Sequence, residues 1–161
     1  MAHLELVSKK YDGNTIEEAN TNIHNIVAYV LKDKISGGLV KYYGGINVNP
    51  LQAAEQFIAV KNYFRKTNPQ CTQVRHFIVS FCKNDYVNAL LANGIGYKIA
   101  EYYADRFQII YGVHEDTHYL HIHFLFNAVS FIDGKIYDKG KGEHSSLKNY
   151  INKTCKNFYQ F

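Results

Sequence analysis

The sequence predicts an α+β fold, in which an antiparallel sheet of about five strands is covered on one face by helices. Three observations carry this expectation. Short alternating stretches rich in β-branched and aromatic residues recur along the chain. Between the first of them lie longer stretches with apolar residues at helical spacing. After residue 106 two alternating stretches follow one another with only a turn between them, the pattern of antiparallel pairing.

Each element has its own signal. Residues 3–9 alternate enough to form a first strand, and residues 15–31 place Ile16, Ala19, Ile23, Ile26, Val27 and Val30 on one helical stripe. The polar, basic, glycine-containing segment 32–45 ends in a strand-like stretch at 42–48. Asn49-Pro50 starts a second helix, with Asn as cap and Pro in the first turn, so that Leu51, Ala54, Phe57, Ile58 and Phe64 face inward. Residues 73–82 form a strand. Asn84 or Asp85 caps a helix running to about Ala104, which buries Val87, Leu90, Leu91, Ile95 and Ile99. Residues 107–114 and 119–131 are two more strands, and Asp133-Gly134 is a tight turn leading into a short strand at 135–137. From Ser145 onward, Leu147, Tyr150, Ile151, Cys155 and Phe158 repeat at helical spacing. The sheet face without helices is then open to hold chemistry.

Composition narrows the class. A chain of 161 residues, 47% apolar and 20% charged, suits one domain spanning residues 1–161 and buries a core without disulfides. Cys71, Cys82 and Cys155 show no CxxC spacing and read as reduced thiols. No apolar run approaches the ~18 residues of a membrane span and the N-terminus has no signal-peptide pattern, so the expectation is a cytoplasmic protein without a membrane partner. A net charge of +4 suits a polyanionic partner without requiring one. Fourteen Tyr and ten Phe supply rings that can stack on unpaired bases.

Four of the eight histidines fall within His114-Glu-Asp-Thr-His-Tyr-Leu-His-Ile-His123. Strand side chains alternate faces, so His121, His123 and Asn127 point one way while Leu120, Ile122, Phe124 and Phe126 enter the core. A hairpin turning at residues 115–118 pairs residue 114 with 119 and Gly112 with His121, and it puts His114 on the same face as His121 and His123. Three imidazoles on one rigid face make a catalytic divalent-metal site, with His118 in the turn and the others of the eight (His3, His24, His76 and His144) as ordinary histidines.

These residues resemble a known family. His114-x-Asp116, His121-Ile122-His123 and Asn127 are similar to the third motif of MobP-class conjugative relaxases, the relaxase/mobilisation nucleases of the HUH endonuclease superfamily. Asn-Ile-Val-Ala-Tyr29-Val-Leu-Lys-Asp-Lys resembles their first motif, Tyr43-Gly-Gly-Ile-Asn-Val-Asn-Pro50 the segment that follows it, and His76-Phe-Ile-Val-Ser80-Phe81 the second motif. Asn127-Ala-Val-Ser-Phe-Ile-Asp-Gly-Lys-Ile-Tyr137 resembles the hairpin after the histidines, so the likeness runs through nearly the whole chain in order. One departure stands out: Cys82-Lys83-Asn84-Asp85 replaces the family's Pro-Gly-Glu-like turn, keeping only an acid in Asp85. Such relaxases are typically much longer, so the expectation is the N-terminal catalytic domain of a longer relaxase, with a shortened chain or a reduced homologue as the alternatives.

The resemblance implies an antiparallel sheet carrying the HUH site on one face, and an enzyme, a metal-dependent tyrosine DNA relaxase that nicks and rejoins DNA. Tyr29 would attack single-stranded origin-of-transfer DNA and form a 5′-phosphotyrosyl intermediate, for conjugative mobilisation of a plasmid or integrative element. His114, His121 and His123 would hold the metal, Mg²⁺ or Mn²⁺, with Ni²⁺, Zn²⁺ or Co²⁺ also accepted in vitro. A phenol ordinarily ionises near pH 10, so it needs activation or a base. Asp116 would orient a ligating histidine or receive the phenolic proton, and Asn127 would add a hydrogen bond in the outer shell. Lys32, Lys34, Lys41, Arg75, Ser80, Lys83, Lys135, Lys139 and Lys141 would contact DNA, the glycine-bearing loop 135–141 through its backbone. The partners would be single-stranded DNA, relaxosome accessory proteins and a coupling protein. Among fourteen tyrosines the local rivals of Tyr29 are Tyr42 and Tyr43.

Three other readings compete. An HUH replication initiator or transposase would place its tyrosine after the histidine pair, at Tyr150 or Tyr159. A non-catalytic metal-stabilised nucleic-acid-binding module would bind DNA and cut nothing. A plain metallohydrolase would leave the Tyr29 segment without a role.

Overall fold

The computed structural model describes residues 2–159, the last of them in its backbone only. Strand β1 (His3–Val7) leads into helix α1 (Ile16–Leu31), strand β2 (Tyr43–Ile46) and helix α2 (Ala53–Tyr63). Strand β3 (Val74–Ser80), helix α3 (Ala89–Ala100), strands β4 (Ile109–His114) and β5 (His121–Asn127), and helix α4 (Glu143–Tyr159) complete it. The five strands form one antiparallel sheet in the order β1-β3-β5-β4-β2, as the alternation predicts. No helix of the described residues is long and apolar enough to cross a membrane.

Helices cover both faces, not one. Leu4, Phe77, Val79, Tyr111, Ile122, Phe124 and Phe126 pack on one side against Ile95 and Ile99 of α3 and Leu147 and Ile151 of α4. Val74, Ile110 and Leu125 pack on the other side against Ile23, Val27 and Val30 of α1 and Phe57 of α2. The reason lies in β5. Its odd positions change from imidazoles at 121 and 123 to Leu125, so half of the supposedly open face is itself apolar and needs a cover.

Local chemistry sets most of the boundaries. Thr15 caps α1, its hydroxyl accepting from the Glu18 amide at 3.1 Å. Asn49 accepts from the Leu51 amide, but the helix it starts is a single 3-10 turn (Pro50–Gln52) that leaves Leu51 exposed before α2 begins. Neither Asn84 nor Asp85 caps α3. Asp85 instead closes a 3-10 turn (Lys83–Asp85) by accepting from the Cys82 amide, and Asn88 is the cap, accepting from the Leu91 amide at 2.8 Å. Leu90 is consequently exposed, and α3 ends at Ala100. Beyond β5 the Asp133-Gly134 turn forms with Gly134 at φ +72°, yet the following stretch pairs only through Val129 and Ile136.

One position decides how α1 meets the sheet. Gly112 of β4 lies under the end of α1, where an added Cβ would overlap the Val30 carbonyl oxygen. That oxygen is backbone, so nothing short of moving the helix relieves the clash. Gly112→Ala is expected to lower stability by about 1–3 kcal/mol, the usual cost of overpacking, in urea titrations. An unchanged midpoint would show that the helix end is not locked there.

Candidate active site and metal centre

The two central strands carry the cluster. His114 ends β4, and His121 and His123 open β5. The turn between them spans residues 115–120, two longer than expected, so the register slides by two: His114 lies opposite His121, and Gly112 opposite His123. An even shift preserves which residues share a face. The three rings therefore converge, with centroids 4.6 Å (His114–His123), 5.0 Å (His121–His123) and 5.3 Å (His114–His121) apart. One nitrogen from each lies within 4.8 Å of the other two.

Each ring commits its other nitrogen to the protein. His114 Nε2 donates to the Val30 carbonyl at 2.7 Å, and His121 Nδ1 to the Tyr119 carbonyl at 2.9 Å. His123 Nδ1 meets His76 Nε2 at 2.8 Å. Burial pushes His123 down to about 2 and His76 to about 4, and it lowers His121 as well. Neutral imidazoles with one nitrogen engaged present a lone pair on the other, which is what a metal ligand requires.

Asp116 adds a second sign of a cation. Its carboxylate is buried and stands 3.6 Å from His114 Nδ1, beyond hydrogen-bond reach. Because the Nε2 proton goes to Val30, a neutral His114 ring has a bare Nδ1, and two acceptors then face one another. Among the described residues neither Asp116 oxygen nor His114 Nδ1 has a hydrogen-bond partner. A cation held at His114 Nδ1 would occupy that orphaned lone pair and stand beside the Asp116 charge. The donor set thus fits a divalent cation.

Tyr29 reaches the cluster from α1. It is 40% exposed, and its ring meets His123 edge-on at 5.2 Å and His114 at 6.3 Å between centroids. Lys34, in the loop after α1, sits over the ring and donates to the phenol oxygen at 3.4 Å. Tyr42 and Tyr43 are half-buried against the two cores instead. Tyr150 lies on α4, beyond the opposite face, its hydroxyl donating to the Lys98 carbonyl at 2.8 Å. The side chain of Tyr159 lies outside the described residues.

The remaining expected residues divide. Ser80 pairs with His121 across the β3–β5 ladder and shares its face. Lys32, Lys34 and Lys41 are exposed on the segment that follows α1, and Lys83 is exposed just after β3. Arg75 points to the other face, its guanidinium 5.3 Å from the Tyr137 ring, and lines with Lys139 a cavity of about 250 Å³. Lys135 borders Tyr102 and Arg106, and Lys141 is exposed before α4, so the structure does not bring the loop at 135–141 to the histidines. Asn127 is a correction. It shares the histidines' face but sits at the far end of β5, about 13 Å along the strand from His123. Its amide donates to the Phe57 carbonyl and Gln108 Oε1, and its oxygen accepts from the Val129 amide. It fastens the strand end.

Two participants were not expected. His76 reaches diagonally across the ladder to His123, and its Nδ1 lies 2.7 Å from the buried Tyr11 hydroxyl. The signal was present, since His76 and Ser80 are four apart on one strand and must share a face.

Fold and residues together define a sheet-borne histidine centre addressed by a helix-borne tyrosine. The family model described as relaxase, MobA/VirD2-like, nuclease domain matches residues 29–159, and the chain belongs to that family of conjugative relaxase-type DNA nucleases. The solved structure reported as the molecular basis of vancomycin resistance transfer in Staphylococcus aureus has the same fold, with a TM-score of 0.64 at 11% identity over 99% of this chain and 92% of that one. No curated protein sequence matches.

The lowered imidazoles make stability depend on pH. Unfolded, His76 and His123 take up protons below about pH 6.5, whereas the folded chain holds His76 neutral down to about 4, so the unfolded state binds more protons in this window. Stability is complete above about pH 6.5 and declines as the pH falls toward 4. Urea midpoints of metal-free protein should drop accordingly, and a flat profile would contradict the burial of these rings.

Proposed function

We propose that this domain nicks and rejoins single-stranded origin-of-transfer DNA through Tyr29, to mobilise a plasmid or integrative element. The observation that carries this reading is the exposed Tyr29 phenol standing edge-on to His123 at 5.2 Å, beside all three converging imidazoles. The phenol oxygen attacks the scissile phosphorus and the P–O3′ bond breaks. A 5′-phosphotyrosyl link remains, and the released 3′-hydroxyl can reverse the reaction.

His114, His121 and His123 would hold a divalent cation, Mg²⁺ or Mn²⁺ in the cell, which when bound polarises the scissile phosphate and offsets charge on its oxygens. The chain's own groups supply the rest. Lys34 brings a positive charge to the atom that attacks. Asp116, against His114, acts on that ring more directly than on the phenol. Ser80 extends the polar face opposite His121, and the exposed Lys32, Lys41 and Lys83 offer phosphate contacts. The initiator or transposase reading is less well supported, because Tyr150 is engaged on the other face of the sheet.

Labelled single-stranded oligonucleotides spanning the origin of the resident mobile element, incubated with Mn²⁺, test the proposal. The parent should yield a covalent DNA–protein adduct that Tyr29→Phe abolishes and Tyr150→Phe retains. An adduct surviving Tyr29→Phe would overturn the assignment. His121→Ala should weaken Mn²⁺ binding by more than the roughly 10–100-fold lost with an outer-shell partner, measured by calorimetry, and should lose cleavage with it.

A further inference from the structure

We propose that His76 and Tyr11 are positioning residues, a buried relay that accepts the Nδ1 proton of His123 and so leaves Nε2 to the metal. This inference rests on the three-histidine metal site of the proposed function and assigns new residues to it.

The geometry is a chain of two short hydrogen bonds. Tyr11 Oη lies 2.7 Å from His76 Nδ1, and His76 Nε2 lies 2.8 Å from His123 Nδ1. All three side chains are buried. A neutral imidazole holds one proton, donating through one nitrogen and accepting through the other. The chain therefore runs in one of two directions. If Tyr11 donates to His76, then His76 Nε2–H donates to His123 Nδ1, and the His123 proton is left on Nε2, the nitrogen that ligation needs bare. In the other direction His123 Nδ1–H donates to His76 Nε2, His76 Nδ1–H donates to the Tyr11 oxygen, and Nε2 of His123 is free to ligate. Only the second direction is compatible with metal.

The acceptor at the end of this relay is a phenol oxygen. Tyr11 keeps its own proton, because burial and the nearby Tyr29 raise it to about 12. Its ring is held where the chain needs it: Tyr11 sits at φ +55°, a left-handed backbone conformation that aromatic residues seldom adopt, and Lys9 covers its ring at 5.3 Å. The adjoining chain is tied to the sheet by the Gln73 amide, which donates to the Lys10 carbonyl at 3.0 Å. His114 and His121 use backbone carbonyls for the same purpose, and carbonyls can only accept. His123 alone has an outer partner whose direction is not set by its chemistry; a phenol can accept as well as donate, so Tyr11 lets the relay take the direction that a metal on Nε2 demands.

The test uses Zn²⁺, a diamagnetic probe, and the full chain. Long-range ¹H–¹⁵N spectra of the Zn²⁺-loaded parent should show His76 protonated on Nδ1 and His123 on Nδ1. His76 protonated on Nε2 in that sample would overturn the relay with no substitution needed. His76→Phe keeps a ring and removes the acceptor, so Zn²⁺ affinity should fall about 10–100-fold by calorimetry. Tyr11→Phe should cost about fivefold, and His76→Glu, which restores an acceptor, should recover most of the loss. Affinities unchanged in both Phe variants, with parent binding intact, would sink the relay and leave the site standing. A parent that binds no Zn²⁺ would sink both.

Discussion

The contact on which this site depends is the one between the last turn of α1 and β4. A helix leaves its final carbonyls without partners of its own. Here those carbonyls are used one by one: that of Tyr29 accepts from the Lys32 amide, that of Leu31 from the Val40 amide, and that of Val30 from His114 Nε2. Gly112 makes the last of these possible, because any side chain at that position would hold the helix away from the sheet. The residue whose carbonyl orients one imidazole directly follows the residue whose phenol stands over another. The Tyr29 phenol and the His114 imidazole are consequently parts of one joint, and a shift of the helix end displaces both.

Much of the architecture was legible because period-two and helical patterns are long and clean here. That His114, His121 and His123 share a face followed from parity, and it survived an error in the turn length because that error was an even number of residues. Parity has limits, however. It says which face a residue occupies and nothing of how far along the strand it sits, so Asn127 was grouped with rings about 13 Å away. It also treats a face as uniform, whereas Leu125 and Ile110 make half of this one apolar and draw α1 and α2 onto it.

The misplaced caps have a different origin. Asn84, Asp85 and Asn88 all carry side chains that can terminate a helix, and the choice among them depends on the left-handed Tyr86 between them, φ +54°, which no periodicity reveals. His76 escaped notice for a third reason. A histidine alternating with apolar residues is usually satisfied by its own surroundings, and the partner that gives it meaning is 47 residues away in sequence. Its neighbour Tyr11 is 65 residues away from it. Networks of buried polar groups are built by the tertiary fold, and sequence spacing contains little trace of them.

The three converging imidazoles carry no negative charge to give a cation, and the groups at their outer nitrogens, two peptide carbonyls and a further imidazole, supply none either. A doubly charged ion held this way would keep nearly its whole formal charge, diminished only by the single carboxylate of Asp116 lying against His114. Carboxylate ligands would have neutralised that ion before any phosphodiester arrived. With imidazoles alone, the electrostatic attraction is left for the nucleic acid.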